Sequence, residues 1–196
     1  MTSTAFLDQL DRSLRQLLAT VQTELAPLEL AQLNHKPAPA AWSILECLEH
    51  LNRYSRYYNP RFAHALDQPG PSTKREVRYS WLGRRFIDMM TPENAKKIKT
   101  FNYMNPRGSQ LGGEVLTEFY AQQAQLRALL AQAHHANLNR KSVPVEFLRL
   151  IKMRLGEAFE LQVLHAQRHV QQALRVRAEF PAAKAPTKPP LLVASM

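Results

Sequence analysis

Apolar residues recur every three to four positions in four long stretches of the chain. In the first, over residues 4–26, Phe6, Leu7, Leu10, Leu14, Leu17, Leu18, Val21 and Leu25 fall on one face of a helix, and Pro27 stops it. Residues 34–41 (NHKPAPAA) form a proline-punctuated loop. Ser43, followed three residues later by Glu46, makes a capping-box pattern, and Trp42 stands just before it, where an apolar side chain staples against the first turn. The spacing predicts a second helix over 43–66, with a stripe of Ile44, Cys47, Leu48, Leu51, Tyr54, Tyr58 and Phe62 and a kink at Pro60. A third helix covers 114–136, with Val115, Phe119, Leu126, Leu129 and Leu130 inward. After 137–142, Pro144 is placed to open a further helical region that runs, with a break near Gly156, to about residue 177. Between the second and third helices lies a long crossover, with one short amphipathic piece over 81–90 and Gly108, Gly112 and Gly113 at its end. No alternating strand pattern of useful length and no internal repeat stands out. The predicted fold is all-α: a four-helix bundle with a long crossover between helices 2 and 3. One domain over 1–180 is expected, then a Pro/Ala/Lys-rich tail, 181–196, that reads as poorly ordered.

Composition narrows the class. The 196 residues are 45% hydrophobic, enough for a buried core and against wholesale disorder. No apolar run approaches the roughly eighteen residues of a membrane helix, so no membrane role is expected. Asp8 and Asp11 interrupt the N-terminal apolar positions, which does not suit a signal peptide. The single cysteine, Cys47, leaves no internal disulfide and no cysteine-based zinc module, and the expected location is cytoplasmic. The formal net charge is +10, from 26 Lys and Arg against 16 Asp and Glu. It is uneven: residues 71–110 carry nine basic against three acidic residues, interleaved with Tyr79, Trp81, Phe86, Phe101 and Tyr103. Such interleaving suits a nucleic-acid surface. It equally suits a crossover whose apolar residues pack inward while its cations stay solvated, and without a recognised nucleic-acid module this second reading is preferred.

The histidines carry the candidate chemistry. His165 and His169, at i and i+4, project from one helical face, the bite of a two-histidine metal chelate. Leu155, Ala158, Leu161, Ala173 and Val176 share that face, so the pair points into the core, with Gln162 and Gln172 beside it. His50, on the flank of the second helix's stripe beside Tyr54 and Tyr57, is placed to add a third imidazole from a facing helix. Three protein ligands leave positions open for water or substrate, as in catalytic sites. The alternative is histidines satisfied within the core. His35 lies in a loop, His64 is too far along the helix from His50 to share a metal, and His134 and His135 suit a helix C-terminus.

Two motifs together resemble the DinB superfamily. W42-S43-I44-x-E46-x-x-x-H50-L51 is similar to the opening of that family's second helix, and H165-x-x-R168-H169-x-x-Q172 to its last helix. The resemblance spans roughly residues 4–178, although the crossover over 67–110 is longer than the family's minimal pattern. It implies a four-helix bundle, often a homodimer, with a divalent metal, zinc or nickel, held by His50, His165 and His169. Some relatives are thiol-dependent transferases and others are described as metal-dependent hydrolases. The family name derives from DNA-damage inducibility, not from DNA binding. Implied functions are therefore a metal-dependent S-transferase or hydrolase acting on a small molecule, with a low-molecular-weight thiol as co-substrate in the first case. A bacterial, stress-related metal or small-ligand binder without turnover is the alternative, and a nucleic-acid binder using 71–110 is a third.

Other residues carry paired readings. Glu46 is a candidate general base one turn before His50, and its capping role also explains it. Tyr54 is a candidate catalytic hydrogen-bond donor, or core. Gln172 is placed to orient His169. Glu157 is two helical turns from His165, Cys47 reads as a small core residue, and Arg168 suits either a salt bridge or an anionic small-molecule ligand.

Overall fold

The computed structural model describes residues 1–67, 76–92, 94, 100–109 and 111–180. Six helices are found among them: α1 (Ser3–Glu24), α2 (Leu30–Leu33), α3 (Ile44–Asp67), α4 (Trp81–Met90), α5 (Glu114–Gln132) and α6 (Leu155–Arg177). The four long ones form the expected four-helix bundle. The tail 181–196, expected to be poorly ordered, lies outside the described residues.

Local chemistry sets the helix boundaries. Thr2 Oγ1 caps α1 by accepting from Ala5 N–H at 3.3 Å. The capping box at α3 forms as the spacing predicts: Glu46 N–H donates to Ser43 Oγ at 3.1 Å and Ser43 N–H to Glu46 Oε2 at 2.9 Å. Pro60 lies inside α3 without ending it. Ser80 caps α4 through Gly83 N–H at 3.0 Å. Beyond α5 the chain tightens into a 3₁₀ turn, Ala133–His135, so the third helix is a turn shorter than its periodicity suggests.

One expectation is corrected. Pro144 opens no helix; it lies in an antiparallel hairpin of β1 (Lys141–Val145) and β2 (Leu148–Arg154). Val143, Val145 and Met153 are buried, while Pro144 lies between the two inward valines. Having no N–H, Pro144 is tolerated because both strands of a two-stranded sheet are edges. The break near Gly156 is the start of α6. Gly156 N–H donates to Leu138 O at 2.9 Å, and a Cβ there would crowd Leu138 at 3.3 Å.

The crossover has a consequence for helix direction. Asn52 donates to Val115 O at 3.0 Å and, seven residues on in both helices, Asn59 donates to Gln122 O at 3.1 Å. Neighbours α3 and α5 therefore run parallel, which a short loop cannot achieve. Two apolar clusters fill the bundle. One centres on Phe62 stacked on Phe159 (ring centroids 4.2 Å apart) and the other on Leu17, Leu45, Leu48, Phe119 and Val170. Cys47 is fully buried in the second, and burial pushes its thiol pKa up, so it is a core residue rather than a reactive thiol. None of the described helices is long and apolar enough to cross a membrane.

Candidate metal centre

α3 and α6 pack side by side, and His50 on one meets His165 and His169 on the other. His50 Nε2 and His165 Nε2 are 3.1 Å apart, and one nitrogen from each of the three rings lies within 4.8 Å of the others. His50 and His165 are buried, at 2% and 5% exposure, and His169 is half-buried. His50 Nδ1 lies 2.8 Å from Met104 O. A carbonyl only accepts, so Nδ1 carries the proton and Nε2 presents a lone pair to the cluster. His169 Nδ1 donates likewise to Gln172 Oε1 at 3.1 Å, which frees its Nε2. Gln172 thus occupies the orienting position its spacing suggests.

Burial drives the electrostatics. It lowers the His50 pKa to about 4, partly offset by the Met104 carbonyl. It holds His165 and His169 well below the ordinary imidazole value, and mutual repulsion within the trio adds to this. All three rings are neutral at neutral pH, the form that ligates metals. One proton shared between His50 and His165 would satisfy that pair and leave His169 Nε2 without a partner; one cation satisfies all three. Donors about 2.0–2.1 Å from a tetrahedral zinc stand about 3.3 Å apart, close to the observed His50–His165 separation. The three histidines are positioned to bind a metal.

The support comes from the crossover and the loop before α3. Met104 lies in a 3₁₀ turn, Asn102–Met104. Arg53, one turn past His50 on α3, braces that turn by donating to Asn105 O at 2.9 Å and Tyr103 O at 3.4 Å. The ring of Trp42 packs on His50 (4.8 Å between centroids) and His169 (5.6 Å). Tyr54 stands edge-on to His50 and His165, at 4.9 and 4.6 Å. Burial raises its pKa, so the phenol keeps its proton and remains a donor. Glu46 is differently engaged. Beyond the capping box, its Oε1 accepts from Lys36 Nζ at 2.6 Å and Gly108 N–H at 3.3 Å. Among the described residues, Glu46 is not on the wall of the cavity that the histidines face.

That cavity measures about 1060 Å³. It follows α6, whose Leu161, Gln162, Arg168, Gln172 and Arg175 line it around the two histidines. Phe86, Met89 and Met90 of α4, Phe101, and Phe147 at the hairpin tip close one side. The loop before α3, from Pro37 to Trp42, closes the other. The Met104 carbonyl, Arg175 and the hairpin wall were not visible as site elements in the sequence. A carbonyl is common to every residue, and the hairpin itself was unforeseen.

The remaining histidines and the basic crossover are accounted for in part. His35 Nε2 pairs with Glu179 at 3.0 Å and His134 lies 3.6 Å from Asp8. Of the nine cations in 71–110, Lys74, Arg75, Lys96, Lys97 and Lys99 lie outside the described residues. Arg84 covers the Tyr79 ring at 4.2 Å, and Arg107 donates to Pro39 O at 3.0 Å.

A helical bundle in which two packed helices converge three neutral imidazoles on a large, mostly apolar cavity has the architecture of a metal-centred four-helix-bundle protein. The chain belongs to the DinB superfamily, whose sequence profile matches residues 9–173. Among solved structures it is similar to YfiT from Bacillus subtilis, described as a probable metal-dependent hydrolase with an unusual four-helix bundle topology. The TM-score is 0.57 at 14% identity, over 88% of this chain and 86% of that one. At this identity the likeness shows the fold. No curated protein matches the chain.

Proposed function

We propose that this chain is a divalent-metal-dependent enzyme acting on a small molecule in the cavity, with His50, His165 and His169 as the metal ligands. The observation that carries this reading is the convergence of three desolvated nitrogens, two of them freed by Nδ1 hydrogen bonds to Met104 O and Gln172 Oε1. Zinc and nickel both suit three imidazoles. When bound, such an ion supplies Lewis acidity that lowers the pKa of a thiol or a water. Tyr54 then offers a neutral phenol beside the ligands, a hydrogen-bond donor to an oxygen of the bound molecule. Trp42 shields the His50 and His169 rings from solvent. Glu46 serves as the cap that joins the loop at Lys36 to the crossover at Gly108.

Thiol transfer is favoured over hydrolysis. Among the described residues the carboxylate on the cavity wall is Glu179, which His35 holds, and hydrolysis needs a general base more than thiol transfer does. The test begins with elemental analysis of protein purified without a His tag. About one ion per chain is expected, with most of it lost in His165→Ala. Metal-loaded protein is then assayed with a panel of low-molecular-weight thiols and a chloronitrobenzene electrophile. Turnover that disappears in His165→Ala supports the transferase; equal rates in both proteins, with metal present in the parent, favour a binder without turnover. Less than a few tenths of an ion per chain overturns the metal reading.

A further inference from the structure

The cavity has two chemically different ends, and the histidines lie between them. Leu161 stands one turn before His165, about 6 Å along α6. α4 runs beside α6 from Ser80 at Glu157 to Thr91 at Arg168, which sets Phe86 near this turn, and Phe86, Phe101 and Phe147 form one aromatic wall: Phe101 stacks on Phe147 at 5.3 Å and Phe86 meets Phe147 edge-on at 5.8 Å. Phe101 and Phe147 are 45% and 42% exposed, apolar surface that nothing among the described residues covers. At the other end Arg175 stands about 9 Å beyond His169. Helical side chains lean toward the helix N-terminus, so Arg175 leans back toward the histidines. It is exposed, lines the cavity, and makes no ion pair or hydrogen bond among the described residues. The other charged groups on the wall are already engaged. Arg168 donates to Thr91 O at 3.1 Å and Asn94 O at 2.7 Å. Glu179, one turn past Arg175, pairs with His35.

We propose that the cavity takes an amphipathic organic anion: a carboxylate held by Arg175, an apolar body against the Phe86–Phe101–Phe147 wall, and the reacting group between them at the histidines. A guanidinium with no partner among the described residues is suited to bidentate recognition of a carboxylate. A cavity of about 1060 Å³ has room for an apolar body of ten or so carbons beside the polar groups. The inference deepens the function proposed above and rests on it for the position of the reacting group.

The chain has two tryptophans, Trp42 against the histidines and Trp81, which is 79% exposed. A Trp81→Phe background therefore leaves Trp42 as a fluorescence reporter inside the cavity. Decanoate, decanol and decyltrimethylammonium are titrated into this protein as purified and after chelator treatment. Decanoate is expected to bind roughly tenfold more tightly than decanol, and the cation more weakly than either. Arg175→Gln should bring decanoate to the level of decanol without changing decanol binding. Arg175→Lys should retain most of the preference, and Arg149→Gln, exposed and off the cavity wall, should retain all of it. Equal binding of decanoate and decanol in the parent, or a preference that survives Arg175→Gln, overturns the proposal. Metal content is measured on the same samples. Metal-free protein with an Arg175-dependent preference sinks the metal reading and keeps the anion site; metal-bearing protein without the preference does the reverse.

Discussion

His50 uses one ring nitrogen for the protein and presents the other to the cavity. Its Nδ1–H is fixed by Met104 O, and Met104 O is fixed in turn because Arg53 grips the carbonyls of Tyr103 and Asn105. Arg53 is therefore a positioning residue, three places along the same helix from the proposed ligand His50, whose ring it does not touch. Arg53→Met removes the brace and keeps the apolar stem. We expect metal affinity, measured by competition with a chromophoric chelator, to fall about 10–100-fold, as for other partners that orient ligands. Gln172→Leu should act on His169 in the same way, whereas Arg15→Met, an exposed pair with Asp11 on α1, should leave affinity unchanged. At this scale the three histidines were legible because imidazoles at i, i+4 on an apolar face are unusual chemistry for a core. Their orienting partners divided. Gln172 was legible from its spacing, but the Met104 carbonyl was not, because any residue at the right point of the crossover would supply it.

Among the elements, the start of α4 is joined to α6 by one buried carboxylate. Glu157 is fully buried; its Oε1 accepts from Ser80 N–H, at the start of α4, and its Oε2 from Arg154 N–H at 2.9 Å, at the start of α6. One carboxylate thus caps two helices and joins the crossover to the bundle. Gly83 lies against this carboxylate, and any Cβ there would overlap it. Gly83→Ala must displace either Glu157 or α4, and a loss of about 1–3 kcal/mol is expected, read as a lower urea midpoint with unchanged m. α4 carries Phe86, Met89 and Met90 on the cavity wall, so the substitution should also weaken binding of apolar probes. An unchanged midpoint would show that Glu157 relaxes freely. The piece 81–90 was legible from its amphipathic pattern, and the capping box at Ser43 from its spacing. The hairpin was not. Leu148, Ile151 and Leu155 fall at spacings of three and four, so β2 imitates the helix that follows it, and the alternation in β1 covers only five residues.

For the whole molecule, the +10 charge acts through the joints between helices as well as at the cavity mouth. Arg56 on α3 reaches Glu118 on α5 at 2.7 Å and Glu49 at 3.1 Å, and Arg127 on α5 reaches Asp11 on α1 at 2.7 Å. Hydrogen bonding to Arg56 is the main cause that holds the Glu118 carboxyl below its ordinary value. For Asp11, burial alone would raise the pKa, but the bonds to Arg127 and Arg15 outweigh it and leave it lowered. A carboxyl with a folded-state pKa below its unfolded value binds fewer protons in the native protein. Its contribution is complete above the unfolded value, near 4.5 for Glu118, and is lost as pH falls through the folded one. Both pairs are partly exposed, so each is worth only about 0.5 kcal/mol. As these carboxylates are neutralised, the excess of fixed positive charge grows and self-repulsion adds to the loss. The urea midpoint should therefore decline steeply between pH 5 and 3. In the double variant Glu118→Gln, Asp11→Asn it should start lower at pH 7 and decline less, with the two curves drawing together as pH falls below the unfolded values, near 4.5 for Glu118 and 3.8 for Asp11. Parallel curves over this range would mean that the two arginine joints contribute nothing to acid stability and that general repulsion alone sets the acid limit.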